Sequence, residues 1–207
     1  GGNRFAMPSI PNSIPKGENA ESTDARFERT RTRSALCMSG GGYRAALFHL
    51  GGLTRLNELG ILSKIDTVSC VSGGSILGAF FAKLLHDGYA PVNGVYPDWD
   101  NRVIDAFLPF VAEDIRTGPV LQQFKVWKKG AGPLALAEHY ESMTKGLKLT
   151  ELPDRPRFIF CATNLVFGNN WESSKDRVGD YVSGYVLPPP SDWTVAKAVA
   201  ASSCFPP

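Results

Sequence analysis

Two stretches constrain this chain more than anything else in it: "SALCMSGGGYRAALFHLGG" at 34–52 and "IDTVSCVSGGSILGAFFAKLL" at 65–85. In each, an apolar run of strand length stops at a cluster of Gly and Ser, and a pattern of helical period starts at once. After the first cluster, Ala46, Leu47, Leu50, Leu53 and Leu56 recur at three- and four-residue steps from Tyr43 onward. Arg44, Arg55, Asn57 and Glu58 lie mostly opposite them, and Gly60 is placed to stop the helix. After the second, Ile76–Leu85 is apolar almost throughout, which reads as a helix buried on most sides and ended by Asp87 and Gly88. Strand, helix, strand, helix at this spacing predicts a parallel βαβ unit with a right-handed crossover, and so an α/β fold.

Parallel neighbours have the loops that follow them at the same end of the sheet, the end where open α/β sheets bind ligands. The two Gly/Ser loops therefore face one crevice. In "CVSGGS" Ser72 sits between a strand and a helix, with Cys70 two positions before it and Gly74 two positions after. That is the setting of a nucleophile elbow, G-x-S-x-G, with cysteine in place of the first glycine. In "SGGGYR" the glycines Gly40, Gly41 and Gly42 supply backbone N–H groups that can turn inward, ahead of the positive end of a helix. An oxyanion formed by attack on an ester needs such donors. A phosphate cradle is the competing use of a glycine loop, but neither G-x-x-x-x-G-K-[ST] nor G-x-G-x-x-G is present. Tight packing at a turn remains the plain structural alternative.

Elsewhere the pattern is less sharp. Residues 1–33 read as a flexible arm, poor in large apolar residues, and 34–207 as one domain. The run with Arg26, Arg29, Arg31 and Arg33 reads as a solvated lead-in to the first strand rather than a patch for anionic lipid. Pro91–Trp99 is expected to be a loop, 102–115 a helix interrupted at Pro109, and Leu134–Leu147 an amphipathic helix. Arg157–Phe167 is a strong strand candidate, with a turn at 168–170. "VGDYVSGYV" is expected to be a single edge strand, and "DWTVAKAVAAS" a short helix capped by Asp192.

The totals exclude several classes. With 207 residues and 43% apolar content a real core is available. A net charge of +2 argues against a nucleic-acid partner. No apolar run reaches the ~20 residues of a membrane helix, and no signal peptide is visible. The expected location is cytoplasmic or peripheral to a membrane. The four cysteines, Cys37, Cys70, Cys161 and Cys204, form no zinc pattern and are read as small buried residues. His49, His86 and His139 are read as helix-surface or lightly buried residues, not as bases.

On "SGGGYRA" (39–45), "VSGGS" (71–75), "CATNLVFG" (161–168) and "AVAASSCFPP" (198–207) the chain resembles the patatin-like phospholipase family. The resemblance spans nearly everything from Ser34 onward. It implies a three-layer α/β/α fold with a mainly parallel central sheet, and lipid acyl hydrolysis through a Ser–Asp dyad with no histidine. It makes Ser72 the nucleophile, Gly40, Gly41 and Gly42 the oxyanion loop, and Arg44 the basic residue of the glycine-rich signature. It implies a lipid ester as substrate, is compatible with peripheral membrane contact, and implies no metal and no organic cofactor. The family's aspartate belongs to a D-G-[GA] motif downstream of the stretch that matches "ASSCFPP". The only Asp-Gly here, Asp87-Gly88, reads as a helix stop. The expectation is therefore a chain that lacks its C-terminal part, inactive alone, with no carboxylate in reach of Ser72. A non-catalytic lipid-binding relative and a histidine-triad esterase are the other readings.

Overall fold

The structure is a computed structural model and describes residues 33–117 and 131–204. The proposed arm, with Arg26, Arg29 and Arg31, therefore lies outside the described residues, as does Phe205. The described residues from Ser34 onward form one compact unit.

The core is a six-stranded sheet in sequential order: β1 (Ala35–Met38), β2 (Thr67–Val71), β3 (Arg157–Asn164), β4 (Asn169–Ser174), β5 (Val178–Asp180) and β6 (Gly184–Val186). The first three strands are parallel, with Met38 opposite Cys70 and Val71 opposite Cys161. From β3 onward the sheet is an antiparallel meander. The helices are α1 (Gly42–Glu58), α2 (Gly73–His86), α3 (Asp105–Thr117), α4 (Ala131–Thr144) and α5 (Val195–Ser203). Both parallel crossovers step in the same direction, so a common hand puts α1 and α2 on one face. They pack against each other there, and α2 also meets β1, β2, β3, α4 and α5. That face buries Met38, Val68, Cys70, Phe158 and Phe160, while Cys37 and Val71 on the other face are exposed.

The α/β expectation holds, and the first two strand–helix pairs lie where the periodicity put them. Several local details differ. Asn57, assigned to the polar side of α1, is buried; its amide accepts from the Tyr96 N–H (2.8 Å) and donates to the Tyr96 carbonyl (3.0 Å). It thereby fixes the Pro91–Trp99 loop to the helix. Pro109 does not interrupt its helix: α3 follows a π-helical turn (Asp100–Ile104) and runs through the proline. Burial of Val103, Phe107 and Val111 on one side offsets the lost N–H donor. β3 ends at Asn164, and the turn is Leu165–Gly168 rather than 168–170. The single edge strand is a hairpin, β5–β6. Its turn is built on Asp180, whose Oδ1 accepts the N–H groups of Val182 and Ser183, both at 2.7 Å. The cap of α5 is Thr194, which accepts from the Lys197 N–H at 3.3 Å; Asp192 instead pairs with the Lys197 ammonium.

Candidate active site

Ser72 lies between the last residue of β2 and the first of α2, with φ 49° and ψ −114°. Positive φ is uncommon for a non-glycine residue, and such conformations cost about 1–3 kcal/mol each. They persist only where the surroundings fix them. At Ser72 two hydrogen bonds do so. Its carbonyl accepts from the Ile76 N–H at 3.1 Å, and its own N–H donates to the Ser202 hydroxyl at 2.8 Å. The Ser72 hydroxyl has no hydrogen-bond partner among the described residues.

The glycines beside it are set by close approach. A Cβ on Gly73 would lie 2.1 Å from the Gly42 carbonyl oxygen, and one on Gly74 would lie 2.4 Å from that of Met38. Both contacts are with backbone, so nothing can swing aside. A Cβ on Gly40 would lie 3.2 Å from the Ser72 Cβ, which puts the glycine loop directly against the elbow. Gly41 and Gly42 have φ of 140° and 62°. α1 starts at Gly42 and α2 at Gly73, and neither first turn receives a side-chain cap. Two helix N-termini with uncapped N–H groups thus begin at the same place. Arg44, in the first turn of α1, is exposed and forms no ion pair among the described residues.

Cys70 is fully buried, and a Cβ on Gly78 would lie 2.5 Å from its sulfur. The cysteine fills the space between β2 and α2. Burial pushes its thiol well above the ordinary range, with lesser contributions from Cys161 and Cys37.

A pocket of about 510 Å³ opens at the elbow. Val71, Ala162, Leu165 and Ala201 supply apolar wall, and Ser72, Thr163, Asn170 and Ser202 supply hydroxyl and amide groups. Among the described residues no carboxylate and no histidine lines it. His49 bonds instead to the Ser39 carbonyl (3.1 Å) and His86 to that of Glu151 (3.0 Å), while His139 stacks on Phe110. Asp87 closes α2 at its far end in an ion pair with Lys83. Among the described residues no three of His, Cys, Asp and Glu group as metal ligands. No described helix is long and apolar enough to cross a membrane.

Sequence reading missed four contributors. Gly73 was only the unspecified position of the elbow pattern. Ser202 lay in a run of small residues with nothing to mark one hydroxyl among them. Asn164 and Asp180 carry the pocket-side turns: the Asn164 amide donates to Asp180 Oδ2 at 2.8 Å and joins the β3–β4 turn to the β5–β6 turn. Burial opposes ionisation of Asp180, but hydrogen bonds from the Ser183 backbone and from the Asn164 and Ser183 side chains outweigh it and hold the carboxyl far below the usual range.

No curated protein matches the chain. Among solved structures it is similar to human GIVD cytosolic phospholipase A2, solved in complex with methyl gamma-linolenyl fluorophosphonate. The two share 19% identity with a TM-score of 0.54, over 83% of this chain and 29% of that one. This likeness is one of fold, and the chain spans under a third of the phospholipase it matches. The model of the family described as patatin-like phospholipase matches residues 36–207. With that match running through all six strands and both glycine loops, the chain belongs to the patatin-like phospholipase family.

Proposed function

We propose that this chain carries the nucleophile and the oxyanion-binding loop of a lipid acyl hydrolase. One observation carries the reading: both backbone groups of Ser72 are tied down in a strained conformation, while its hydroxyl is left unbonded at a half-apolar pocket. Strain held at a serine beside a pocket fits a group held ready for attack. Ser72 Oγ would add to the acyl carbonyl of a lipid ester, and the alcohol would leave to give an acyl-enzyme. Water would then release the fatty acid. N–H groups of Gly40, Gly41 and Gly42, at the uncapped start of α1, would hold the tetrahedral oxyanion. Apolar wall from Val71, Ala162, Leu165 and Ala201 suits an acyl chain. Arg44, in this reading, stands at the crevice edge where an anionic head group would pass.

The serine needs a proton acceptor, and no described carboxylate bonds to it. In the family reading that acceptor is an aspartate from elsewhere in the protein. The same observation favours the second reading, a lipid-binding relative without catalysis. The full-length protein separates them. Hydrolysis of p-nitrophenyl butyrate and of phosphatidylcholine is expected to fall about 1,000-fold or more in Ser72→Ala, with Tm unchanged. A fluorophosphonate should label Ser72 and no other serine, read by mass spectrometry. Wild-type turnover in Ser72→Ala would reject the nucleophile. Tight lipid binding with neither turnover nor labelling would select the second reading.

A further inference from the structure

The Ser202 hydroxyl is the meeting point of three elements. It donates to the Cys161 carbonyl of β3 at 2.6 Å. It accepts the N–H of Ser72 at 2.8 Å. It lies 2.8 Å from the hydroxyl of Ser75, a residue with no exposed surface in the first turn of α2. A hydroxyl has one proton and two lone pairs. The Cys161 carbonyl cannot donate, so it takes the proton, and the Ser72 N–H takes one lone pair. Ser75 must then be the donor in the third contact. Every capacity of Ser202 is used, and the direction of every proton follows.

We infer that Ser202 is a positioning residue that sets the rotation of the Ser72 peptide, and so the aim of the Ser72 hydroxyl into the pocket. The torsion φ turns about the N–Cα bond, and its value depends on where the N–H plane is held. The Ser72 N–H lies between β2 and α2, and Ser202 supplies its partner. The contact also fixes what the Ser72 N–H is not: with its proton committed to Ser202, it is not a donor to an oxyanion. That duty falls to the glycine loop and to the first N–H groups of α2. Because Ser202 bonds at once to β3 and to α2, a change in the packing of α5 is felt at the serine without any contact to substrate.

The kinetic part of the test rests on Ser72 being the nucleophile; the amide part does not. In the full-length protein, Ser202→Ala and Ser202→Val are expected to lower kcat on p-nitrophenyl butyrate about 100-fold with KM nearly unchanged. Ser202→Thr, of the same shape as valine but with the hydroxyl, should recover most of it. Hydrogen exchange at the Ser72 amide should be about 10-fold faster in the Ala and Val variants than in Thr. Should Ala and Val fail to fold, Ser202→Cys keeps the volume with a much weaker acceptor and should show both effects in reduced form. Equal kcat in Val and Thr, or unchanged kcat in Cys, overturns the inference, and so does equal Ser72 exchange in all variants. If Ser72→Ala retains activity, the nucleophile reading fails, and the amide exchange alone decides whether Ser202 holds the elbow.

Discussion

The two ends of the sheet are stabilised by different chemistry. Where β1, β2 and β3 begin, charge predominates. Asp66 accepts from the Ser34 N–H and pairs with Arg155, Arg157 and Arg177 reach to Glu172, and Lys175 meets Asp154. The hydrogen bond from Ser34, with the Arg155 charge, holds the Asp66 carboxyl below its ordinary value. Where the same strands end, none of the described ion pairs involves the glycine loop, the elbow or the pocket lining. That end is held by backbone contacts, hydroxyls and one buried carboxylate, Asp180, which is satisfied by N–H and O–H donors rather than by an opposite charge, and its turns expose Leu165, Val166, Phe167, Tyr181 and Val182. The difference has a physical reason. An exposed pair at the charged end, such as Lys175 with Asp154, is weak and replaceable. Near a pocket for an apolar chain, each charge would have to shed water as the ligand entered. A hydroxyl bonded to a carbonyl fixes geometry without that cost.

If this contrast is right, substitutions at the serine end should be severe and those at the charged end mild. The largest effect is expected for Gly73→Ala, whose methyl meets the Gly42 carbonyl oxygen at 2.1 Å. It should cost about 3 kcal/mol in urea unfolding, with loss of Ser72 labelling by a fluorophosphonate. A stable, labelled Gly73→Ala protein would mean that the loop and the elbow are not in contact.

Asp180→Asn is expected to come next, and it has a pH signature. The folded carboxyl titrates far below the unfolded one, so its contribution is present above the unfolded value of about 4 and lost as pH falls below it. Wild-type protein should lose stability steeply below about pH 4, and Asp180→Asn should be weaker at pH 7 but show a shallower acid limb. Parallel acid limbs in the two proteins would assign acid unfolding to the charged end instead. Smallest is Lys175→Ala, which frees an Asp154 that is already 89% exposed. It should cost under about 0.5 kcal/mol and vanish in high salt. A larger loss would show that the charged end is not as tolerant as its exposure suggests.

The sequence made the parallel half of the fold legible because there each strand is a buried apolar run and each helix a clear period. Ser72 and the glycine loop were legible too, through their places at the strand–helix joints. The antiparallel half was not. β4 reads Asn-Asn-Trp-Glu-Ser-Ser, poor strand formers apart from Trp171, and it is a strand because β3 pairs with it and because Arg157 and Arg177 satisfy Glu172. Ser202 was illegible for another reason: its role depends on three partners far away in the chain, and no local pattern encodes them. Thr194 and Asp192 are both good caps by residue type, and only the register of α5 distinguishes them.

The Ser72–Ser202 hydrogen bond joins residues 130 positions apart. During synthesis the elbow leaves the ribosome long before its partner exists. The parallel strands on either side of it also wait, since β3 is separated from β2 by the whole middle of the chain. A contact this distant in sequence forms late, because the intervening chain must be ordered first. Until α5 docks, the peptide before Ser72 lacks its acceptor and the serine can relax out of its strained rotation. The nascent or partly unfolded polypeptide would then present a relaxed serine to the lipids around it, and in the proposed reading hydrolytic competence could not arrive before α5 docks.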